Sequence, residues 1–184
     1  WCFPWRCDDT LSKSTINGKR VNHKGLWQYE DSYNPIIDYH NQIEDGTIVA
    51  SNKIKATVAH LVREIELDEG RYTFDIELAR RPVTFIENFI QHYKGIKSGE
   101  PYIMELWQLV IVYAFFGFVD RETRLRKYRE LLLIVARKNG KSALASAIAV
   151  YLLYGDGESA PNLVSVATQK DQAKLVWEVS KALL

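Results

Sequence analysis

The chain has 184 residues, of which 47% are apolar and 26% charged, and its formal net charge is +1. This is ordinary globular composition, able to build a sizeable core. The near-zero charge excludes a global field as the means of attracting nucleic acid, so any such partner must be met by a local patch. Cys2 and Cys7 are the only cysteines. They are too few for a disulfide scaffold and lack companion zinc ligands, so both read as reduced bystanders.

Residues 1–34 are polar, Trp-rich and weakly periodic. Within them Ser14–Gly25 carries an Asn-Gly turn pair among basic residues, which predicts a short hairpin or a partly ordered arm. A helix is expected from Asn34, with Pro35 at its first position and Gly46 at its end. Ser51–Leu67 places Ile54, Val58, Leu61, Val62 and Ile65 at helical spacing. Asp75–Tyr93 puts Phe85, Ile86, Phe89 and Ile90 on one stripe, with Pro82 expected to start a new helix or kink the old one. Lys94–Tyr102 reads as a loop. Leu106–Phe118 is the most apolar stretch, but it is shorter than the roughly 18 residues of a membrane span. It also contains Gln108, so a buried helix is expected. Arg121–Glu130 holds four arginines and a lysine. It reads as a solvated turn, with contact to a DNA backbone as the sharper alternative.

The rear of the chain changes character. Glu130–Ala136 reads as a buried strand, Lys141–Tyr154 as a helix, Leu163–Ala167 as a second strand and Thr168–Leu184 as a second helix. Strand and helix in alternation predict an α/β fold with a parallel sheet and crossover helices. The expected organisation is an arm over 1–34, a mainly helical region over 35–100 and a partial P-loop domain over 101–184. The single methionine is Met104, and the chain stops inside a helical pattern. We therefore expect a piece of something longer.

Between the first predicted strand and its helix stand Arg137, Lys138, Asn139, Gly140, Lys141 and Ser142. A phosphate-binding loop needs a tight bend whose N–H groups converge at the positive end of a helix. Gly140 permits close backbone approach, Lys141 supplies charge for the β- and γ-phosphates of ATP, and the Ser142 hydroxyl suits Mg2+. The usual leading glycine is replaced by Val135. In exchange the loop gains Arg137 and Lys138, and an arginine there can reach a transferring γ-phosphoryl group. Cations at a helix N-terminus are mildly unfavourable unless an anion sits among them. That favours a nucleotide site over a basic surface turn.

These residues resemble a known family. "ARKNGKS", with "WQ" about thirty residues upstream and "ATQKDQA" about thirty downstream, is similar to the large terminase subunit of tailed bacteriophages. The resemblance extends over roughly residues 35–184 and is sharpest in the rear half. It implies an ATP-driven motor that cuts and packages viral double-stranded DNA. It also implies a deviant Walker A loop, in which Arg137 senses the γ-phosphate and Lys141 and Ser142 hold the phosphates and magnesium. Gln108, in "PYIMELWQ", would read adenine. Thr168, capping a helix with Asp171, would sit in the family's helicase-like segment, where helix capping alone is the plainer reading. The implied partners are DNA, the small terminase subunit, the portal protein and further copies of the chain, in the host bacterial cytoplasm and without a membrane. The family's Walker B acidic pair, coupling motif and nuclease domain are not found in these residues, so weak hydrolysis by this chain alone is expected.

Two rival readings share the loop. A helicase would normally keep glycine at Val135 and lack Arg137. A DNA- or portal-binding module would carry a loop that does not hydrolyse ATP. His23, His40, His60 and His92 show no metal-ligand spacing and are assigned to structure. Tyr93 and Tyr102 flank the loop before Gln108 and could stack on adenine, though loop packing is the plainer expectation.

Overall fold

In the computed structural model, residues 19–21, 25–92, 98–168, 174, 177, 178, 180 and 181 are described. The first described element is strand β1 (Lys19–Val21), which pairs antiparallel with β2 (Trp27–Tyr29), Lys19 opposite Tyr29 and Val21 opposite Trp27. Helix α1 (Pro35–Glu44) begins as its sequence dictates. Asn34 caps it by accepting the Ile36 N–H, and Pro35 gives up only an N–H that would have no helical partner. Helix α2 (Asn52–Leu67) starts at Ser51, whose side chain accepts from Ile54 N–H, and buries Val58, Leu61 and Val62. Ile54, from the same expected stripe, stays exposed.

Strand β3 (Tyr72–Phe74) leads into α3 (Ile76–Phe89), whose first N–H groups are taken by the Asp75 carboxylate. The helix runs through Pro82 without a break, so no new helix starts there. The proline still removes one backbone donor, but its ring is buried and adds to the packed face. Helix α4 (Leu106–Gly117) is apolar all round, as a helix enclosed by others must be. The α3–α4 contact is the most extensive between elements, and α4 also packs on α1. Ile36, Ala79, Val83, Ile86, Val112 and Tyr113 close the core between them.

At the end of α4 the chain passes directly into β4 (Phe118–Asp120), antiparallel to β3 with Phe74 opposite Phe118. Gly117 permits this crossing. A Cβ there would lie 2.4 Å from Phe74 Cε2 and 2.8 Å from the Ala79 Cβ. Helix α5 (Lys141–Tyr154) has the bounds its sequence predicts, and it reaches α3 where Tyr151 meets Phe85 edge-on at 5.6 Å.

The expected P-loop parallel sheet needs correction. Among the described residues the strands form two small antiparallel pairs, and neither 130–136 nor 163–167 belongs to a ladder. A strand is made by a partner backbone, and composition alone does not supply one. Residues 132–135 keep a strand's two-sided alternation all the same: Leu133 and Val135 are half-buried, while Leu132 and Ile134 stand 84% and 85% exposed. Lys174, Trp177, Glu178, Ser180 and Lys181 are helical, Thr168 stands exposed in a bend, and the rest of the expected last helix, Asp171 included, lies outside the described residues. So do Cys2, Cys7, His23 and Tyr93. No helix among the described residues is long and apolar enough to cross a membrane.

Candidate nucleotide site

The loop 137–140 bends sharply into α5. Lys138 and Gly140 both take left-handed backbone, with φ of 71° and 70°. Glycine does so freely. A lysine there is strained by roughly 1 kcal/mol or more. An anion-binding nest is built where left-handed residues alternate with right-handed ones, and Lys138 and Gly140 supply two left-handed positions for such a loop. Gly140 is the N-cap of α5 and offers no side chain, so no side chain satisfies the first N–H groups of the helix. The first helical bond runs from Leu144 N–H to the Gly140 carbonyl at 2.9 Å. Leu144 is fully buried, which pins the first turn of α5 to the core and leaves the loop at the surface.

Charge distribution separates this loop from the rest of the chain. No ion pair among the described residues uses Arg137, Lys138 or Lys141. The cations of the 121–127 segment are all engaged. Arg121 pairs with Asp68 at 2.9 Å, Arg124 with Asp75, Arg126 with Asp156 at 3.1 Å and Lys127 with Glu64 at 2.5 Å. That segment therefore fastens β4 to α2, α3 and the end of α5. It is the exposed turn the sequence suggested, with four of the five cations of Arg121–Glu130 also tied into ion pairs. In the same turn the Thr123 backbone N–H, the Arg71 guanidinium and the Glu122 N–H hold the Asp120 carboxyl well below the usual carboxylate range.

Gln108 lies far from the loop in sequence and beside it in space. Its Nε2 is 3.6 Å from where a Cβ on Gly140 would stand. The side chain is almost fully enclosed, at 5% exposure. Its Oε1 accepts the Glu105 N–H at 3.0 Å, and its Nε2 donates to the Tyr102 hydroxyl at 3.3 Å. Tyr102 is itself buried, with its ring against His92 at 5.0 Å between centroids. Burial pushes its phenol pKa up, so the hydroxyl keeps its proton. Its ring is enclosed and not free to stack on a base. The sequence missed its service to Gln108, and the signal was Gln108 standing three residues after the Glu105 cap.

The Gln108 amide thus lies enclosed beside Gly140, while Arg137, Lys138, Asn139 and Gly140 stand exposed and Lys141 and Ser142 half-buried at the start of α5. Residues 106–183 match a protein-family model described as "Terminase large subunit, ATPase domain". Over that stretch the chain is similar to the large terminase subunit, as its loop residues suggested. The match begins two residues before Gln108 and encloses the whole loop, and the family it names suggests a DNA-packaging ATPase. The terminase match leaves out 35–105, over which the sequence resemblance was looser. No curated protein and no solved structure matches the chain.

ATP and magnesium, which such a domain implies, can be tested against the residues present. Uncapped helix N–H groups, three cations without carboxylate partners among the described residues and a left-handed loop suit a triphosphate. For the metal, the Ser142 hydroxyl stands at the second position of α5. Among the described residues no three His, Cys, Asp or Glu side chains gather into a metal cluster.

Proposed function

We propose that this chain is the ATP-binding part of a viral DNA-packaging motor, with the triphosphate held at the start of α5. The observation that carries the reading is the loop's combination of uncapped amides and unpaired cations, inside a terminase ATPase match. Lys141 holds the β- and γ-phosphate oxygens, and the backbone N–H groups at 140–142 face them. Ser142 offers its hydroxyl to the metal. Arg137 stabilises charge on the γ-phosphate, and Lys138 and Asn139 complete the rim. The Gln108 amide addresses the adenine edge. Bound nucleotide and magnesium supply the transferable phosphoryl group and its neutralising charge.

In this reading the parallel sheet forms from 130–136 and 163–167 when their backbones gain partners, as the alternation at 132–135 supports. The finer expectations follow: coupling of hydrolysis to translocation of double-stranded DNA into a procapsid, with a nuclease activity elsewhere in the protein. Contacts with the small subunit and portal, assembly of several copies and a bacterial cytoplasmic setting belong to the same reading. Turnover by this chain alone is slow, because carboxylates must orient the metal and the attacking water.

The test is unfolding temperature with and without Mg2+ and ATP. At a hundredfold excess over Kd, one bound ligand stabilises by about 2.7 kcal/mol. That corresponds to roughly 5–10 °C for a chain of this size. Lys141→Ala should abolish the shift. A shift of equal size in that variant, or no shift in the native chain, would leave a binding module with an inert loop as the better reading.

A further inference from the structure

We propose that Tyr102 is a positioning residue for base selection: with the Glu105 backbone N–H, its hydroxyl locks the Gln108 amide in the orientation that accepts adenine. The inference rests on the reading of Gln108 as the base contact and goes one layer behind it.

A glutamine amide has two acceptor sites on Oε1 and two N–H groups on Nε2. Its usefulness as a reader depends on which end faces which way. Here both ends are tied. The Glu105 N–H can only donate, so it fixes Oε1 on its own side at 3.0 Å. A flipped amide would set two donors against each other in a buried place. The Tyr102 hydroxyl takes one N–H of Nε2 at 3.3 Å and holds that end in place, while the donor-only Glu105 N–H decides which end is which. Tyr102 is not free to follow a wandering amide. It is 4% exposed, its ring lies against His92, and its backbone N–H donates to the Ile90 carbonyl at 2.8 Å.

One acceptor site and one N–H of the amide remain for a ligand, at the edge of the loop that takes phosphates. Adenine presents an N6–H donor beside the N7 acceptor, which complements that pair. Guanine presents O6 and N7, two acceptors, and sets O6 against Oε1. A locked amide therefore discriminates between them. An amide free to rotate does so less well, because its NH2 can turn toward O6.

The experiment uses the whole 184-residue chain. Tyr102→Phe keeps the ring and removes only the hydroxyl. Calorimetric titrations would use the Mg2+ complexes of non-hydrolysable ATP and GTP analogues, and inorganic tripolyphosphate. Affinity for the ATP analogue should fall about five- to tenfold, the worth of one lost hydrogen bond. GTP analogue and tripolyphosphate should stay within about twofold. In a Gln108→Ala background, Tyr102→Phe should add nothing, which a purely structural role would not produce. Native-like ATP preference in Tyr102→Phe, or equal weakening of all three ligands, overturns the lock alone. A native chain that binds ATP and GTP analogues alike overturns the reading of Gln108, and the lock with it. In the native chain the two Gln108 side-chain amide protons should also be distinct and protected from exchange, and averaged, fast-exchanging signals would contradict the proposal without any variant.

Discussion

Gly117→Ala tests the packing that carries the α4 end of the site. Helix α4 presents Gln108 near its N-terminus, and its C-terminal residue is wedged under Phe74 and Ala79. A methyl at position 117 would meet Phe74 Cε2 at 2.4 Å and Ala79 Cβ at 2.8 Å. Carbon atoms in contact sit about 3.5–4.0 Å apart, so each neighbour must retreat by roughly 1 Å. Phe74 stacks edge-on with Phe118, and Ala79 is backbone-close on α3, so neither has a free rotamer to use. Overpacking of this kind costs about 1–3 kcal/mol. The helix-propensity gain of alanine over glycine, at most about 1 kcal/mol, shrinks at the last residue of the helix. The net loss should lower the thermal midpoint by roughly 3–8 °C at about 2–4 °C per kcal/mol. Differential scanning calorimetry reads it directly. Adding Phe74→Ala should recover part of the methyl's penalty, measured against Phe74→Ala alone. A variant as stable as the native chain would refute the claimed close approach of β3, α3 and α4.

Further outcomes follow from the charge network. Lys19→Met should destabilise by about 3–5 kcal/mol near neutral pH, because Glu87, whose pKa burial raises, loses the ammonium 2.7 Å away. The gap should narrow as pH falls, since a protonated Glu87 needs no counter-charge, and Lys19→Met with Glu87→Gln should recover most of the loss in chemical denaturation. Asp120 has its pKa held low, so its contribution is fully present above the ordinary carboxylate pKa of about 3.9 and fades as pH falls toward its folded value. The difference in midpoint between the native chain and Asp120→Asn should therefore be full at pH 7 and shrink below about pH 4. Arg124→Ala with Arg126→Ala should lower stability by about 1–2 kcal/mol through the lost Asp75 and Asp156 pairs and leave the salt dependence of any DNA binding unchanged. A flatter salt slope in that variant would restore the DNA-contact reading of the segment.

What the sequence revealed and what it hid divide along local and non-local lines. Asn34 before Pro35, Ser51 before an apolar stripe and the Ala-rich run after Gly140 are local signals, and they set the starts of α1, α2 and α5. Strands β3 and β4 span three residues each and carry no readable period. Their pairing depends on a glycine whose missing Cβ matters only once α3 is overhead. The composition of 130–136 and 163–167 is that of strands, but a ladder is a property of two strands' backbones, and periodicity in one cannot supply it. The left-handed bend into α5 falls at the glycine the sequence pointed to, because the residues that make it are contiguous. Gln108 entered through family resemblance, and its partnership with Tyr102 stayed hidden because buried hydroxyls leave no pattern. The arginines of 121–127 showed their charge in the sequence, while Asp68, Asp75, Asp156 and Glu64, which neutralise it, lie far along the chain.

The central claim is that backbone amides at the start of α5, backed by Lys141, embrace a triphosphate. Amide chemical shifts in an isotope-labelled chain, followed as Mg2+ and an ATP analogue are added, address it most directly. The signals of Gly140, Lys141 and Ser142 should move together and saturably in the native chain, and should stay still in Lys141→Ala. Binding of the nucleotide with those signals unmoved, and shifts appearing on another face of the molecule, would contradict the account.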